Sequence, residues 1–75
     1  MDRDQAVAIV VAELDRATRK FGPFHSAHEG YAVVLEELDE AWDEIKANNL
    51  GRAQTEMVQV AAMALRYLVD LGSEQ

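Results

Sequence analysis

Apolar residues recur at steps of three and four along most of the chain, the spacing that places side chains on one face of an α-helix. The first such stretch runs from about Asp2 to Lys20, and its apolar positions are Val7, Val10, Val11, Leu14 and Ala17. The segment Phe21–His25 interrupts the pattern, because Pro23 has no backbone N–H and disfavours helical geometry at the residue before it. The pattern therefore predicts an amphipathic first helix that ends before Pro23.

Two further helices are predicted on either side of a polar turn. Ser26 and Glu29 have the spacing of a capping box, in which each side chain accepts a hydrogen bond from a backbone N–H at the start of a helix. A second helix is expected from about Ala27 to about Ala47, and a third from about Arg52 to Leu71. Between them, Asn48–Gly51 has the composition of a turn. The predicted fold is all-α: an antiparallel helical hairpin preceded by an amphipathic helix.

The third predicted helix differs from the other two because apolar residues surround it. They are Met57, Val58, Val60, Ala61, Ala62, Met63, Ala64, Leu65, Leu68, Val69 and Leu71. A helix of this kind is normally buried on all sides, and two neighbouring helices are too few to cover it. On the second helix, Tyr31 and Trp42 share the apolar face and are expected in the core. We therefore expect a homodimer or homotetramer, a helical bundle packed around the third helix.

Length and composition narrow the class of protein. A chain of 75 residues forms one domain, expected over residues 1–75, and contains no cysteine for disulfides or thiolate metal sites. Its net charge of −7 repels nucleic acid and anionic membrane surfaces. The charge-free runs are too short to span a bilayer, and the first four residues do not resemble a signal peptide. We expect a cytoplasmic protein with no direct contact to nucleic acid or membrane.

The highest density of acid lies on the second predicted helix, where Glu36–Glu44 holds six carboxylates in nine residues. A solvated acidic face is the simpler interpretation, since charged residues prefer the surface. Two features favour a cation site instead. Like charges one turn apart repel each other, and only Lys46 is close enough in sequence to relieve them. In addition, Glu56 lies among apolar residues on the third helix, where an unpaired carboxylate is costly.

An antiparallel hairpin would bring these carboxylates together. Counting outward from the turn places Glu56 about level with Asp43, and Gln59 about level with Glu40. Glu37 lies one turn further along the same face as Glu40. Three or four oxygen-bearing side chains from two facing helices can hold one hard cation, and ligation by oxygen alone suits Mg²⁺ or Mn²⁺.

The pair of motifs Glu37-x-x-Glu40 and Glu56-x-x-Gln59 resembles the Glu-x-x-Glu and Glu-x-x-Asp signature of the MazG-like, all-α nucleoside triphosphate pyrophosphohydrolases. Other segments are similar to a short bacterial and phage branch of that family, namely Phe24–Tyr31 and Val58–Arg66. The likeness spans about residues 21 to 71, and the spacing across two helices makes it more specific than either motif alone.

The resemblance implies metal-dependent cleavage between the α- and β-phosphates of a nucleoside triphosphate, with release of a monophosphate and pyrophosphate. It also implies obligate dimers or tetramers. By position, Glu37, Glu40 and Glu56 would be the catalytic metal ligands, with one carboxylate orienting the attacking water. Gln59 occupies the position where the family pattern usually has Asp, and its amide could coordinate a metal but contributes no charge.

Four further residues are candidates for contact with the substrate. Arg66 could bind a phosphate, although an ion pair with Asp70 at i,i+4 explains it equally well. Lys20 is a weaker phosphate candidate at the end of the first helix. His28 is a candidate for substrate contact or helix capping. Phe24 lies in the loop, apart from any predicted helix interior, and is the candidate for stacking on a base.

Two alternatives to the enzyme stay open. The same acidic face could belong to a catalytically inactive bundle that binds a nucleotide, a cation or a protein partner, and Gln59 favours this alternative. The chain could also be a structural oligomerisation module whose acidic face only keeps it soluble.

Overall fold

A computed structural model of the protein describes residues 1–72. Three helices account for nearly all of this range: α1 (Arg3–Lys20), α2 (Ala27–Lys46) and α3 (Leu50–Leu71). No β-strand occurs within residues 1–72, so the all-α prediction is confirmed for the described part of the chain. None of these helices has an apolar stretch long enough to cross a membrane.

The turn between α2 and α3 is shorter than the sequence suggested. Asn48 alone takes a positive φ, of 59°, a conformation that asparagine adopts more easily than most residues. Because Asn48 reverses the chain, Leu50 and Gly51 are not needed in the turn and form the start of α3. The prediction that α3 begins at Arg52 was therefore late by two residues.

Side-chain caps fix the beginnings of the first two helices. The Asp2 carboxylate accepts a hydrogen bond from the Gln5 backbone N–H at 2.8 Å, and the Gln5 side chain accepts one from the Asp2 backbone in return. At α2, the Ser26 hydroxyl accepts from the Glu29 backbone N–H at 3.1 Å. The Glu29 carboxylate accepts from the His25 backbone N–H, one residue earlier than in the predicted capping box, so that box is only half formed.

Helix α3 is the centre of the fold. Both α1 and α2 pack against it, whereas within residues 1–72 α1 and α2 do not pack against each other. The space between α1 and α2 is therefore open, with α3 as its floor and the loop 21–26 at one end. This arrangement creates the cleft in which the candidate site lies.

Gly30 on α2 lies directly against the Tyr67 side chain of α3. A methyl group at this position would lie 2.6 Å from the Tyr67 Cδ2 atom and 3.4 Å from the Phe24 ring. Such a contact is too short for two carbon atoms, so only glycine allows the Tyr67 ring to lie against α2. This close approach fixes the separation of the two helices at the loop end of the cleft.

The hydrophobic core is small. Its buried members are Ala17, Phe24, Ala62, Met63 and Leu71, with Val10, Val33, Val34 and Tyr67 packed against them. The expectation that Tyr31 and Trp42 belong to the core is wrong for the single chain, because they are 64% and 55% exposed. Contact with α3 covers only a narrow strip of α2, and these two aromatic side chains lie outside that strip.

A candidate metal site in an open cleft

Three carboxylates converge where α2 faces α3. Glu37 and Glu40 lie one turn apart on α2, and Glu56 projects from α3. Each offers one oxygen atom, and these oxygens all lie within 4.8 Å of one another. Glu37 and Glu56 are half-buried, while Glu40 is exposed. The hairpin thus brings together three of the four predicted ligands, and we call Glu37, Glu40 and Glu56 the carboxylate cluster.

The carboxylate cluster carries more negative charge than its surroundings compensate. Burial raises the pKa of Glu37 to about 7, and the charges of Glu40 and Glu56 add to the effect. The pKa of Glu40 is also raised, chiefly by its hydrogen bond with Glu56 and then by burial. Deprotonating the cluster near neutral pH is therefore unfavourable unless a cation is present.

Within residues 1–72, no basic side chain forms an ion pair with the carboxylate cluster that would neutralise it. Further along α2, Asp43 pairs with Lys46 at 3.5 Å. One turn beyond Glu40, the Oε2 atom of Glu44 is buried without a hydrogen-bond partner in the described chain. Lys46 therefore compensates the charge of Asp43 but not that of the carboxylate cluster.

The donor set fits a hard divalent cation. Ligand oxygens around an octahedral Mg²⁺ are about 3–4 Å apart, because each metal–oxygen bond is about 2.1 Å long. The oxygens of the carboxylate cluster are separated by at most 4.8 Å, so small side-chain rotations suffice to reach that spacing. Carboxylates from facing helices are also the oxygen ligands that Mg²⁺ and Mn²⁺ prefer.

The carboxylate cluster lies in the wall of a cleft with a volume of about 630 Å³. This volume falls within the range of small-molecule sites, roughly 300–1,000 Å³. Helix α1, the loop after it, α2 and α3 all contribute to the lining, with apolar groups such as Ala17, Val33 and Met63 between the charged ones. The cleft can therefore hold a ligand that is part anionic and part apolar.

Gln59 lines the same cleft, together with Glu13 of α1. The pKa of Glu13 is lowered, mainly by its hydrogen bond to Arg16 and to a lesser extent by one to the Gln59 side chain. The fourth predicted ligand thus lies in the lining of the cleft together with Glu13 and the carboxylate cluster.

Arg66 and Phe24 line the cleft, but both are buried. Arg66 is 7% exposed and Phe24 5% exposed. The Arg66 guanidinium lies over the Phe24 ring, 4.1 Å from its centroid, donates a hydrogen bond to the Gly22 carbonyl and pairs with Asp70 at 3.6 Å. Asp70 also accepts a hydrogen bond from the Phe24 backbone N–H at 3.0 Å. The expectation that Phe24 lies apart from the helix interiors is therefore wrong: Arg66 and Asp70 hold it in the core.

The remaining two substrate candidates are not brought to the cleft. Lys20 is exposed at the end of α1, and its Nζ atom lies 5.3 Å from the centre of the Phe21 ring. His28 is exposed in the first turn of α2. Neither residue lines the cleft.

Two cleft residues were missed by sequence reasoning. Glu13 and Arg16 contribute the wall formed by α1. A signal was available, because both residues flank the apolar stripe of α1 that contains Val10 and Ala17, and residues beside such a stripe border whatever the helix packs against.

No model of a known protein family matches the chain, and comparisons with curated proteins and with solved structures also give no match. The molecule is therefore defined by its fold and site: an all-α protein with a carboxylate cluster in an open cleft.

Proposed function

We propose that the chain is a Mg²⁺- or Mn²⁺-dependent nucleoside triphosphate pyrophosphohydrolase, which cleaves between the α- and β-phosphates. The observation that carries the proposal is the convergence of Glu37, Glu40 and Glu56 within 4.8 Å, in the wall of a cleft large enough for a nucleotide. The resemblance of the two motifs to the MazG-like signature supports the same function.

Each member of the carboxylate cluster has a role in this proposal. Glu37, Glu40 and Glu56 would hold the divalent cation. When bound, the cation neutralises the cluster and stabilises the negative charge of the phosphoryl oxygens. One carboxylate of the cluster orients the attacking water and accepts its proton as the new P–O bond forms. The bond from the α-phosphorus to the bridging oxygen breaks, and pyrophosphate leaves with its electron pair.

The proposal includes a homodimer or homotetramer. Large apolar side chains of α2 and α3 remain exposed in the single chain, among them Tyr31, Leu35, Leu38, Trp42, Ile45, Met57, Leu68 and Val69. Large contiguous apolar patches are typical of subunit interfaces, and this many large exposed apolar side chains on two helices supports such an interface. Covering it would also add to the small core of the single chain. Sedimentation equilibrium measures the mass directly, and a stable monomer across micromolar concentrations would exclude this part of the proposal.

A second candidate function is a catalytically inactive bundle that binds a nucleotide, a cation or a protein partner through the same face. Gln59 favours it, because this neutral side chain adds no charge to the carboxylate cluster. A site with three carboxylates holds fewer or weaker cations than a site with four.

Hydrolysis assays distinguish the two functions. The purified chain is incubated with a panel of nucleoside and deoxynucleoside triphosphates in Mg²⁺ or Mn²⁺, and released pyrophosphate is measured. Glu40→Gln and Glu56→Gln should abolish activity, whereas Glu36→Gln, at an exposed position on α2 outside the cluster, should retain it. Circular dichroism confirms that every variant is folded.

The absence of pyrophosphate across the panel, from folded protein, would refute the enzyme. Binding of a non-hydrolysable nucleotide under the same conditions would then support the inactive bundle. Activity that survives both cluster substitutions would leave the reaction standing and refute the assignment of the site.

A further inference from the structure

The cleft contains two arginines in very different states. Arg66 is buried, and its guanidinium is already occupied by the Gly22 carbonyl, Asp70 and the Phe24 ring. Arg16 lies on the α1 wall and its side chain is 50% exposed. Within the described chain its only ion-pair partner is Glu13, on its own helix.

The pair formed by Arg16 and Glu13 has the geometry of a bidentate anion contact. Arg16 Nε donates to Glu13 Oε1 at 2.8 Å, and Arg16 Nη2 donates to Glu13 Oε2 at 2.5 Å. A phosphoryl group offers the same two acceptor oxygens with more negative charge, and arginine binds phosphate in this forked manner. The pair joins residues one turn apart on one helix and its arginine is half exposed, so the pair contributes little to stability and Arg16 can exchange Glu13 for a ligand at small cost.

A second polar side chain, that of Gln59, is available to Glu13 when the ion pair opens. Gln59 lines the cleft together with Glu13 and, after Arg16, helps to lower the pKa of the Glu13 carboxylate. The Glu13 side chain is only 14% exposed, so an acceptor left without any donor there would be unfavourable. The amide of Gln59 can donate a hydrogen bond to Glu13 once Arg16 has turned to a ligand.

We propose that Arg16 binds a phosphoryl group of the ligand in the cleft, and that Glu13 occupies the Arg16 guanidinium in the free protein as an internal competitor. This inference rests on the proposed function, because it takes a polyphosphate to be the ligand in the cleft that Arg16 and the carboxylate cluster both line. Arg16, rather than the previously considered Arg66 or Lys20, is then the arginine that recognises the anionic part of the substrate.

The test measures binding of inorganic tripolyphosphate, in the presence of Mg²⁺, by isothermal titration calorimetry on the full chain. Arg16→Gln should weaken binding by about ten- to a hundredfold, the effect of losing one charge-assisted contact. Glu13→Gln should tighten binding several-fold, because the competitor is removed while a hydrogen-bonding side chain remains. Arg19→Gln, which removes an exposed charge of the same helix outside the cleft, should change it less than twofold.

The opposite directions of the first two substitutions are the decisive part of the test. A purely structural pair would make Arg16→Gln and Glu13→Gln weaken binding together, and that result would overturn the inference. Equal binding by Arg16→Gln and the wild type would also overturn it, while leaving the pyrophosphohydrolase proposal intact. If the wild type neither binds tripolyphosphate nor hydrolyses any nucleotide, both proposals fail. Titration with Mg²⁺ alone should be unchanged in Arg16→Gln, because Arg16 is not in the carboxylate cluster.

Discussion

Replacing Glu56 with glutamine should stabilise the protein when no divalent cation is present and destabilise it, relative to the wild type, when one is bound. In the metal-free protein, Glu56 faces two other carboxylates with oxygens no more than 4.8 Å apart. Glutamine has nearly the same shape but no charge, and its amide can donate hydrogen bonds to Glu37 and Glu40. The metal-free variant should therefore be more stable than the wild type at a pH where the cluster is ionised.

The size of this effect follows from the distances. Two unit charges 4.8 Å apart repel by about 1 kcal/mol in water and by about 3.5 kcal/mol at the effective dielectric constant of a protein surface. The cluster avoids part of this repulsion by retaining protons, as the raised pKa of Glu37, about 7, indicates. We expect Glu56→Gln to raise the free energy of unfolding by about 1–2 kcal/mol at pH 8, which is roughly 5–10 °C in Tm for a domain of this size.

Addition of Mg²⁺ should invert the order of the two proteins. A ligand that binds only the folded state adds about 2.7 kcal/mol at a concentration one hundred times its Kd. The wild type should gain this increment, whereas Glu56→Gln should gain little because one of three charged ligands is missing. Thermal melts at fixed protein concentration, with EDTA and then with increasing Mg²⁺, measure both effects. Fixed concentration is essential because self-association would also shift Tm.

Two results would refute this reasoning. If Glu56→Gln is less stable than the wild type in EDTA at pH 8, the three carboxylates do not repel one another as their spacing requires. If the variant keeps the full Mg²⁺-dependent shift, Glu56 is not a ligand. Glu36→Gln is the matched control: it removes an exposed carboxylate outside the cluster and should leave the Mg²⁺-dependent shift unchanged.

Three further predictions concern the carboxylate cluster, the contact between Gly30 and Tyr67, and the buried Arg66. The pKa of Glu37 is about 7 in the metal-free folded state against an ordinary value of 4.5, so the folded state binds more protons than the unfolded state between these pH values. As the pH rises from 4.5 to 7, the free energy of unfolding of the wild type should fall by about 1–2 kcal/mol relative to Glu37→Gln, after allowance for solvent screening. Urea unfolding measures this difference, and an equal pH dependence of the two proteins would contradict it. Gly30→Ala should lower stability by about 1–2 kcal/mol because its methyl group would lie 2.6 Å from Tyr67, whereas Gly51→Ala, with no atom within 4 Å, should be neutral or stabilising; equal melting temperatures for both variants would contradict the close approach. Arg66→Met should cost about 3 kcal/mol by leaving the half-buried Asp70 carboxylate unpaired, and Asp70→Asn should recover part of that loss in a double-mutant cycle; additive effects would refute the coupling.

The features that could be predicted from sequence are those set by local rules. Helical periodicity and Pro23 place the boundaries of α1 and α2 within a residue or two. The convergence of the carboxylate cluster also follows from a local feature, because a turn of a few residues around Asn48 fixes the register of α2 against α3. The count that set Glu56 about level with Asp43 was coarse, because Glu56 groups with Glu37 and Glu40 within 4.8 Å and Asp43 is not part of that group.

The features that could not be predicted depend on contacts between distant parts of the chain. The burial of Phe24 requires Arg66 and Asp70, which follow it by more than forty residues, and composition of the loop alone gives no sign of this. The exposure of Trp42 was missed because helical periodicity identifies an apolar face but not how much of that face one neighbouring helix covers. The orientation of α1 against α3, which places Arg16 in the lining of the cleft, likewise depends on packing between two helices that are separated in the chain by the whole of α2.

Gln59 shows how the structure changes the meaning of one residue. Judged against the family pattern, the glutamine is a departure that deprives the site of a charge. In the structure Gln59 lines the cleft together with Glu13, and its side chain, after Arg16, helps to lower the pKa of Glu13. An aspartate at position 59 would place a second carboxylate beside Glu13 and repel it, whereas the amide can donate to it. The neutral residue at position 59 and the acidic residue at position 13 are therefore physically compatible as a pair. Under the proposed function, the charge missing at position 59 is linked to the wall of the cleft that Glu13 and Arg16 form.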